Sequence, residues 1–182
     1  VYSLEKAEQI SAAALKAGVV QPVMLRMWDE GSPVYPGQEA GIAMFQLNLI
    51  LWKMDALDGV RLAGLTAFPC FLYNEEKRDI VPTANMALLS HANSWMKQHL
   101  PSSFSLQINM PSATCVRTLP LIAAAEGTHA EPGHGLTGTT PLHAVTDQPE
   151  VPAMVYVTEV SHHWGRSSMV YGGGLYRRGN LR

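Results

Sequence analysis

The sequence predicts an α/β protein: a parallel sheet covered by helices, as in half of a (β/α)8 barrel, followed by the start of a β domain. Three observations predict it. Helix-like and strand-like segments alternate four times over residues 1–131. The strand-like runs are apolar at nearly every position, as in strands covered on both faces. The long polar loops, residues 29–38, 69–85, 109–114 and 131–140, all follow strand ends. In a (β/α)8 barrel such loops line the active site. A doubly wound sheet satisfies the same alternation.

The elements follow in order. Val1, Tyr2 and Ser3 read as the end of a strand running into a helix cap. Residues 4–17 are helical, apolar at Leu4, Ala7, Ile10, Ala14 and Leu15 and closed by Gly18. Residues 20–28 form a β run. Residues 42–54 are helical, with Met44, Leu47, Ile50, Leu51 and Met54 on one face. Asp58 and Gly59 turn the chain into a second strand over 60–68. A charged loop over 69–85, with Glu75, Glu76, Lys77, Arg78 and Asp79, leads to a third helix over 86–100. A third strand lies within 101–109, a turn and short helix within 112–125, and a fourth strand over 127–131. After Pro152 the helical period ends. Residues 153–160 and 168–176 read as two β runs joined through His162, His163, Trp164, Gly165 and Arg166. This divides the chain into a barrel half over residues 1–144 and, over 145–182, a linker with the first strands of a β domain.

Composition narrows the function classes. The chain has 182 residues, 47% apolar, with a net charge of −2, so neither nucleic acid nor an anionic membrane is expected as the main partner. Only 15% of residues are charged, against about 25% in ordinary soluble domains. That shortfall predicts a surface covered by a partner chain or by further segments. Two cysteines, Cys70 and Cys115, make no disulfide framework and point to a reducing, cytoplasmic compartment. No apolar run reaches membrane-spanning length, and no signal peptide is visible. The first residue is Val, and the chain reads as a piece of a longer one.

Residues 128–141 are poor core material and good site material, with three glycines, two histidines, Glu131 and several threonines. Pro132 fixes φ, while Gly133 and Gly135 let backbone approach a bound group and offer N–H groups as an anion nest. A carboxylate followed by such a nest suits a ligand with one protonated nitrogen and one phosphate. A Gly-rich surface loop accounts for the same residues. His129, His134, His143, Glu131 and Asp147 have metal-ligand types, but their spacing matches no zinc motif, and no metal is expected. Adjacent His162 and His163 face opposite ways in a strand. His91 and His99 read as surface or packing residues of a helix.

The chain resembles the alanine-racemase-like, fold-type III enzymes that use pyridoxal 5'-phosphate (PLP), and within them the YhfX-type branch of amino-acid racemases. The segments that carry the resemblance are Tyr35-Pro36-Gly37-Gln38-Glu39, Gly64 to Cys70, Pro111 to Thr114, Thr128 to Thr139, and Tyr171 to Gly179. The resemblance implies a PLP-binding barrel, a C-terminal β domain, a homodimer and a small amino-acid substrate. It places Glu131 at the pyridine nitrogen, where a carboxylate favours the pyridinium form and a carbanion at the substrate's Cα. It places the phosphate among Gly133, His134, Gly135 and Ser112, with Asn109 supporting the loop or lining the site and Thr139 and Thr140 as weaker candidates. It makes Tyr171 a proton-transfer group that reaches the partner subunit's site, opposite a Schiff-base lysine, as racemisation requires.

The sequence departs from that pattern in three places. Ala67 stands where the family often has a histidine that stacks on the cofactor ring. Gln38 stands where racemases carry an arginine. The lysine belongs to a strand before Val1; Lys6, Lys16, Lys53 and Lys97 follow no strand, and Lys77 sits among charges in a solvated loop. The expected activity is amino-acid racemisation by the full-length protein. A PLP-dependent lyase (an aldolase of β-hydroxy amino acids or a decarboxylase) and a non-catalytic PLP carrier are the competing readings.

Overall fold

The structure, a computed structural model, describes residues 1–172. Its centre is a parallel sheet of three strands, β1 (Gln21–Arg26), β2 (Val60–Thr66) and a third over Gln107–Asn109, side by side in chain order. A β-hairpin, β3 (Phe71–Asn74) and β4 (Asp79–Pro82), intervenes in the sequence, so the third sheet strand is β5. Two irregular segments extend the sheet in the same order. Val1 donates its N–H to Met24 O (2.7 Å) and accepts from Arg26 N (2.7 Å), along the outer edge of β1. At the other edge, Asn109 of β5 forms a parallel bridge to His129.

Helices precede the strands. The first helix, α1 (Leu4–Lys16), starts where Ser3 accepts a hydrogen bond from Lys6 N (3.2 Å), and Gly18 follows its end at φ 69°. We expect Ser3→Ala to lower unfolding stability by about 1 kcal/mol, read from denaturant midpoints. Next come α2 (Leu47–Asp55), α3 (Ala84–His99) and the short α4 (Leu119–Ala124). One buried cluster unites Ala7, Leu47, Met54, Leu89, Ala92, Met96 and Ile122 of these helices with Leu25, Leu65 and Ile108 of the sheet. These three strand residues form one row, Leu25 beside Leu65 beside Ile108.

The two faces of the sheet therefore differ, contrary to the expectation of strands covered on both. The row one step further on, Arg26, Thr66 and Asn109, points to the opposite face and is half-buried. Among the described residues the helices supply a lid to one face only.

Several element boundaries move for local reasons. The second helix was expected from residue 42. Instead, Ile42 bonds as a strand to the edge of β1, donating to Arg26 O (2.8 Å) and accepting from Trp28 N (3.2 Å). A 3-10 turn over Met44–Gln46 then leads into α2. The charged loop over 69–85 is largely the β3–β4 hairpin, with its charges gathered in the turn. Asp79 binds the Arg117 guanidinium (2.7 Å), which holds its carboxyl below its ordinary value. The fourth strand reduces to the single bridge at His129, because the left-handed Glu126 and the 2.8 Å bond from Gly127 N to Ile122 O turn the chain sharply before it.

At the C-terminal end, His162, His163 and Trp164 belong to β6 (Val160–Trp164) and do not connect two strands. The connection is Gly165 and Arg166, and β7 (Ser167–Val170) returns antiparallel. Residues 153–159 are irregular: Val155 and Val157 are exposed, with no strand beside them among the described residues. The expected β run to Tyr176 continues outside the described residues.

Candidate functional site

The strand ends build the site. The Thr66–Asn109 row fixes one side of it: Asn109 Nδ2 donates to Thr66 Oγ1 (3.2 Å) and to Glu131 Oε1 (2.9 Å). A side chain from β5 thus ties the end of β2 to the loop after His129. The exposed Glu131 carboxylate is held by one oxygen, and Oε2 has no partner among the described residues. Beside it lies a cavity of about 380 Å3 lined by Tyr35, Phe68, Ser112, Ala113, Glu131, Gly133 and His134. A volume of this size suits a small ligand. Tyr35 and Phe68 form a tilted aromatic pair, ring centroids 5.7 Å apart, on one wall. A neighbouring concavity shares Tyr35, Ser112, Ala113 and His134 and reaches the β3–β4 hairpin at Phe71, Leu72 and Tyr73.

The β5-to-α4 turn is unusual backbone. Ser112 and Ala113 both have positive φ, 96° and 46°, which costs an L-residue about 1–3 kcal/mol. Ser112 Oγ donates to Phe71 O (2.8 Å), locking the turn to the hairpin. The Ser112 hydroxyl hydrogen is therefore already engaged.

The glycine N–H groups expected to form a nest are likewise engaged. Gly133 and Gly135 lie in α5 (Gly133–Thr137); Gly133 N donates to Glu131 O (3.0 Å) and Gly135 N to Thr114 O (2.8 Å). Between them, the His134 N–H has no partner among the described residues. The His134 ring contacts Thr139 Oγ1 through Nδ1 (3.1 Å), leaving Nε2 open.

Cys70 lies behind the carboxylate. Burial, and secondarily the Glu131 charge, push its thiol up to about 12, and its Sγ contacts Ala67 O (3.2 Å). At pH 8 the group is a neutral thiol. We expect Cys70 to resist alkylation in the folded protein at that pH; rapid labelling, read by mass spectrometry, would contradict this burial.

Of the expected site residues, Glu131, Asn109, Ser112, Gly133 and His134 come together, and Gly135 lies just behind. Tyr171 does not join them. It is 61% exposed after β7, where its carbonyl accepts from Thr158 Oγ1 (2.6 Å), and it lines neither concavity. Ala67 is fully buried, while Phe68 reaches the cavity wall. Gln38 donates its N–H to Tyr35 O (3.0 Å) in a turn and lines neither concavity. No lysine lines either one among the described residues. The residues that sequence reasoning missed are Thr66, Tyr35 and Phe68 as neighbours of Glu131. The aromatic side chains at the strand ends were the available signal; Thr66 sits in a run apolar at nearly every position, which gives none.

The fold and the site together define an α/β protein with a polar pocket at the C-terminal ends of parallel strands. The chain is similar to the uncharacterized protein YhfX of Escherichia coli (strain K12), 46% identical over 183 residues. That alignment takes in all of this chain and 46% of the relative, so the chain spans about half the relative's length. Residues 155–182 match the family described as "YhfX-like, C-terminal domain". Among solved structures, an unknown protein from Bifidobacterium adolescentis is similar at 20% identity and a TM-score of 0.48, over 71% of this chain and 47% of that one.

Proposed function

We propose that the full-length protein is a PLP-dependent amino-acid racemase and that this chain supplies the ring-nitrogen end of its site. The observation that carries the reading is the Glu131 carboxylate, oriented by Asn109 at the strand ends, open at Oε2 and beside a pocket with an aromatic wall. The chain-order parallel sheet, with a helix before each strand, supports an arc of a (β/α)8 barrel. A doubly wound sheet reverses its strand order at its switch point, and no such reversal falls within these three strands. The similarity to the uncharacterized YhfX protein agrees with the family resemblance read in the sequence and carries no activity with it.

The donor set fits PLP at its nitrogen end. Glu131 would hold a proton at the ring nitrogen, and Asn109 keeps the carboxylate turned toward it. Tyr35 and Phe68 offer flat apolar surface in place of a histidine at position 67. For the phosphate this chain provides the free His134 N–H and ring Nε2, with the locked Ser112–Ala113 turn shaping the space. Ser112, Gly133 and Gly135 contribute shape more than donors. When bound, PLP supplies an electron sink for the pair left at Cα as the α-proton departs. Tyr171, exposed on the C-terminal hairpin, stands free to act at a partner subunit's site, as a homodimer would require.

The test is to incubate the full-length protein and PLP with single-enantiomer amino acids in heavy water. A racemase exchanges the α-hydrogen and scrambles chirality. Release of a fragment would assign a lyase, and absence of both would assign a PLP carrier.

A further inference from the structure

The concavity that reaches the β3–β4 hairpin has a volume of about 630 Å3 and a wall of its own. It shares Tyr35, Ser112, Ala113 and His134 with the Glu131 pocket, so these four residues stand between the two spaces. Beyond them the lining side chains are Leu72, Tyr73, Pro141, Ala144 and Val145, apolar but for the Tyr73 hydroxyl. Among the described residues Glu75 is the one carboxylate that lines it, and no lysine or arginine does. Glu75 is exposed and makes no hydrogen bond or ion pair with any described residue. The other charges of its turn are placed elsewhere: Asp79 binds Arg117, and Glu76, Lys77 and Arg78 do not line the concavity. The turn itself is held. Asn74 pairs with Asp79 across the hairpin, Lys77 N donates to Asn74 Oδ1 (2.8 Å), and Ser112 Oγ donates to Phe71 O at the start of β3 (2.8 Å). Glu75 follows directly on β3, so this frame fixes where its backbone lies.

An apolar wall with a single unpaired negative charge fits a ligand with an apolar shaft and a cationic end. We infer that this concavity is a side-chain subsite for long basic ligands. The alkyl shaft lies along Leu72, Tyr73 and Val145, and an ammonium or guanidinium group meets Glu75. The class is that of lysine and arginine, longer than the small amino acid that the resemblance implies. That the ligand is an amino acid rests on the racemase reading; the recognition of an alkyl cation does not.

Two measurements on the full-length protein test it. The first is thermal unfolding in pentylguanidinium chloride against sodium chloride at equal ionic strength. Pentylguanidinium carries the cation on an alkyl shaft and cannot condense with an aldehyde. It should raise the unfolding temperature of the wild type. Methylguanidinium keeps the charge without the shaft and should bind about 10-fold more weakly or less. Glu75→Gln should lower the pentylguanidinium affinity about 3- to 5-fold, the scale of an exposed ion pair. Glu76→Gln, one residue further along the same turn, should bind as the wild type does. A wild type indifferent to pentylguanidinium, equal affinity for methylguanidinium, or the same affinity in both variants would overturn the inference. The second is α-hydrogen exchange in heavy water with PLP, comparing lysine with norleucine, which has a similar shaft and no charge. Lysine should have the higher kcat/KM, and Glu75→Gln should shrink that preference through KM. Norleucine exchanging as well as lysine would overturn the inference. If no amino acid exchanges while pentylguanidinium binds as expected, the racemase reading falls and the subsite stands.

Discussion

Glu131→Gln in the full-length protein is expected to lower turnover by about 100-fold or more while leaving the fold intact. The substitution keeps the size of the side chain and an oxygen for Asn109, whose Nδ2 bond of 2.9 Å orients the group. What it removes is the negative charge that would keep a proton on the ring nitrogen. Because the residue is exposed, stability should change by no more than about 0.5 kcal/mol. The loss should appear in kcat more than in KM, since the charge acts where electrons accumulate and not where the substrate is held. Steady-state kinetics with a single enantiomer measures the effect. An unchanged kcat would remove Glu131 from the chemistry.

The second large effect falls on the frame. Gly64 of β2 pairs with Gln107 of β5, and a Cβ there would overlap the Gln107 carbonyl and its carbon. The obstacle is backbone, so no rotamer change relieves it. Gly64→Val is expected to cost about 3 kcal/mol or more and to force β2 and β5 apart. Two residues further along β2 and β5, that pairing sets Thr66 beside Asn109, so the same change should also loosen the hold on Glu131. Thermal unfolding reads the first consequence. Wild-type stability in the Val variant would show that the strands approach less closely than described.

Much of this was legible in the residues. The helical period of residues 4–17, Ser3 as cap and Gly18 as stop give α1 nearly to the residue, because cap and period agree there. The apolar runs gave β1 and β2, but not their unlike faces. Leu25 and Arg26 lie in one apolar run, and only the register shows that Leu25 enters the helix-facing core while Arg26 joins Thr66 and Asn109. The β3–β4 hairpin was hidden because its strands are four residues each and its charged turn reads as loop. At the site, Glu131 and Ser112 were visible as residue types in a site-like context. The hydrogen bonds that occupy Ser112, Gly133 and Gly135 depend on Phe71, Glu131 and Thr114, and their pairing is not written in local spacing.

The most direct measurement of the central claim is the visible absorption of PLP bound to the full-length protein, compared between wild type and Glu131→Gln. The wild type should show a bound-cofactor spectrum and the variant an altered one, because the charge facing the ring nitrogen has gone. Identical spectra with PLP bound to both, or no PLP bound to the wild type, would contradict it.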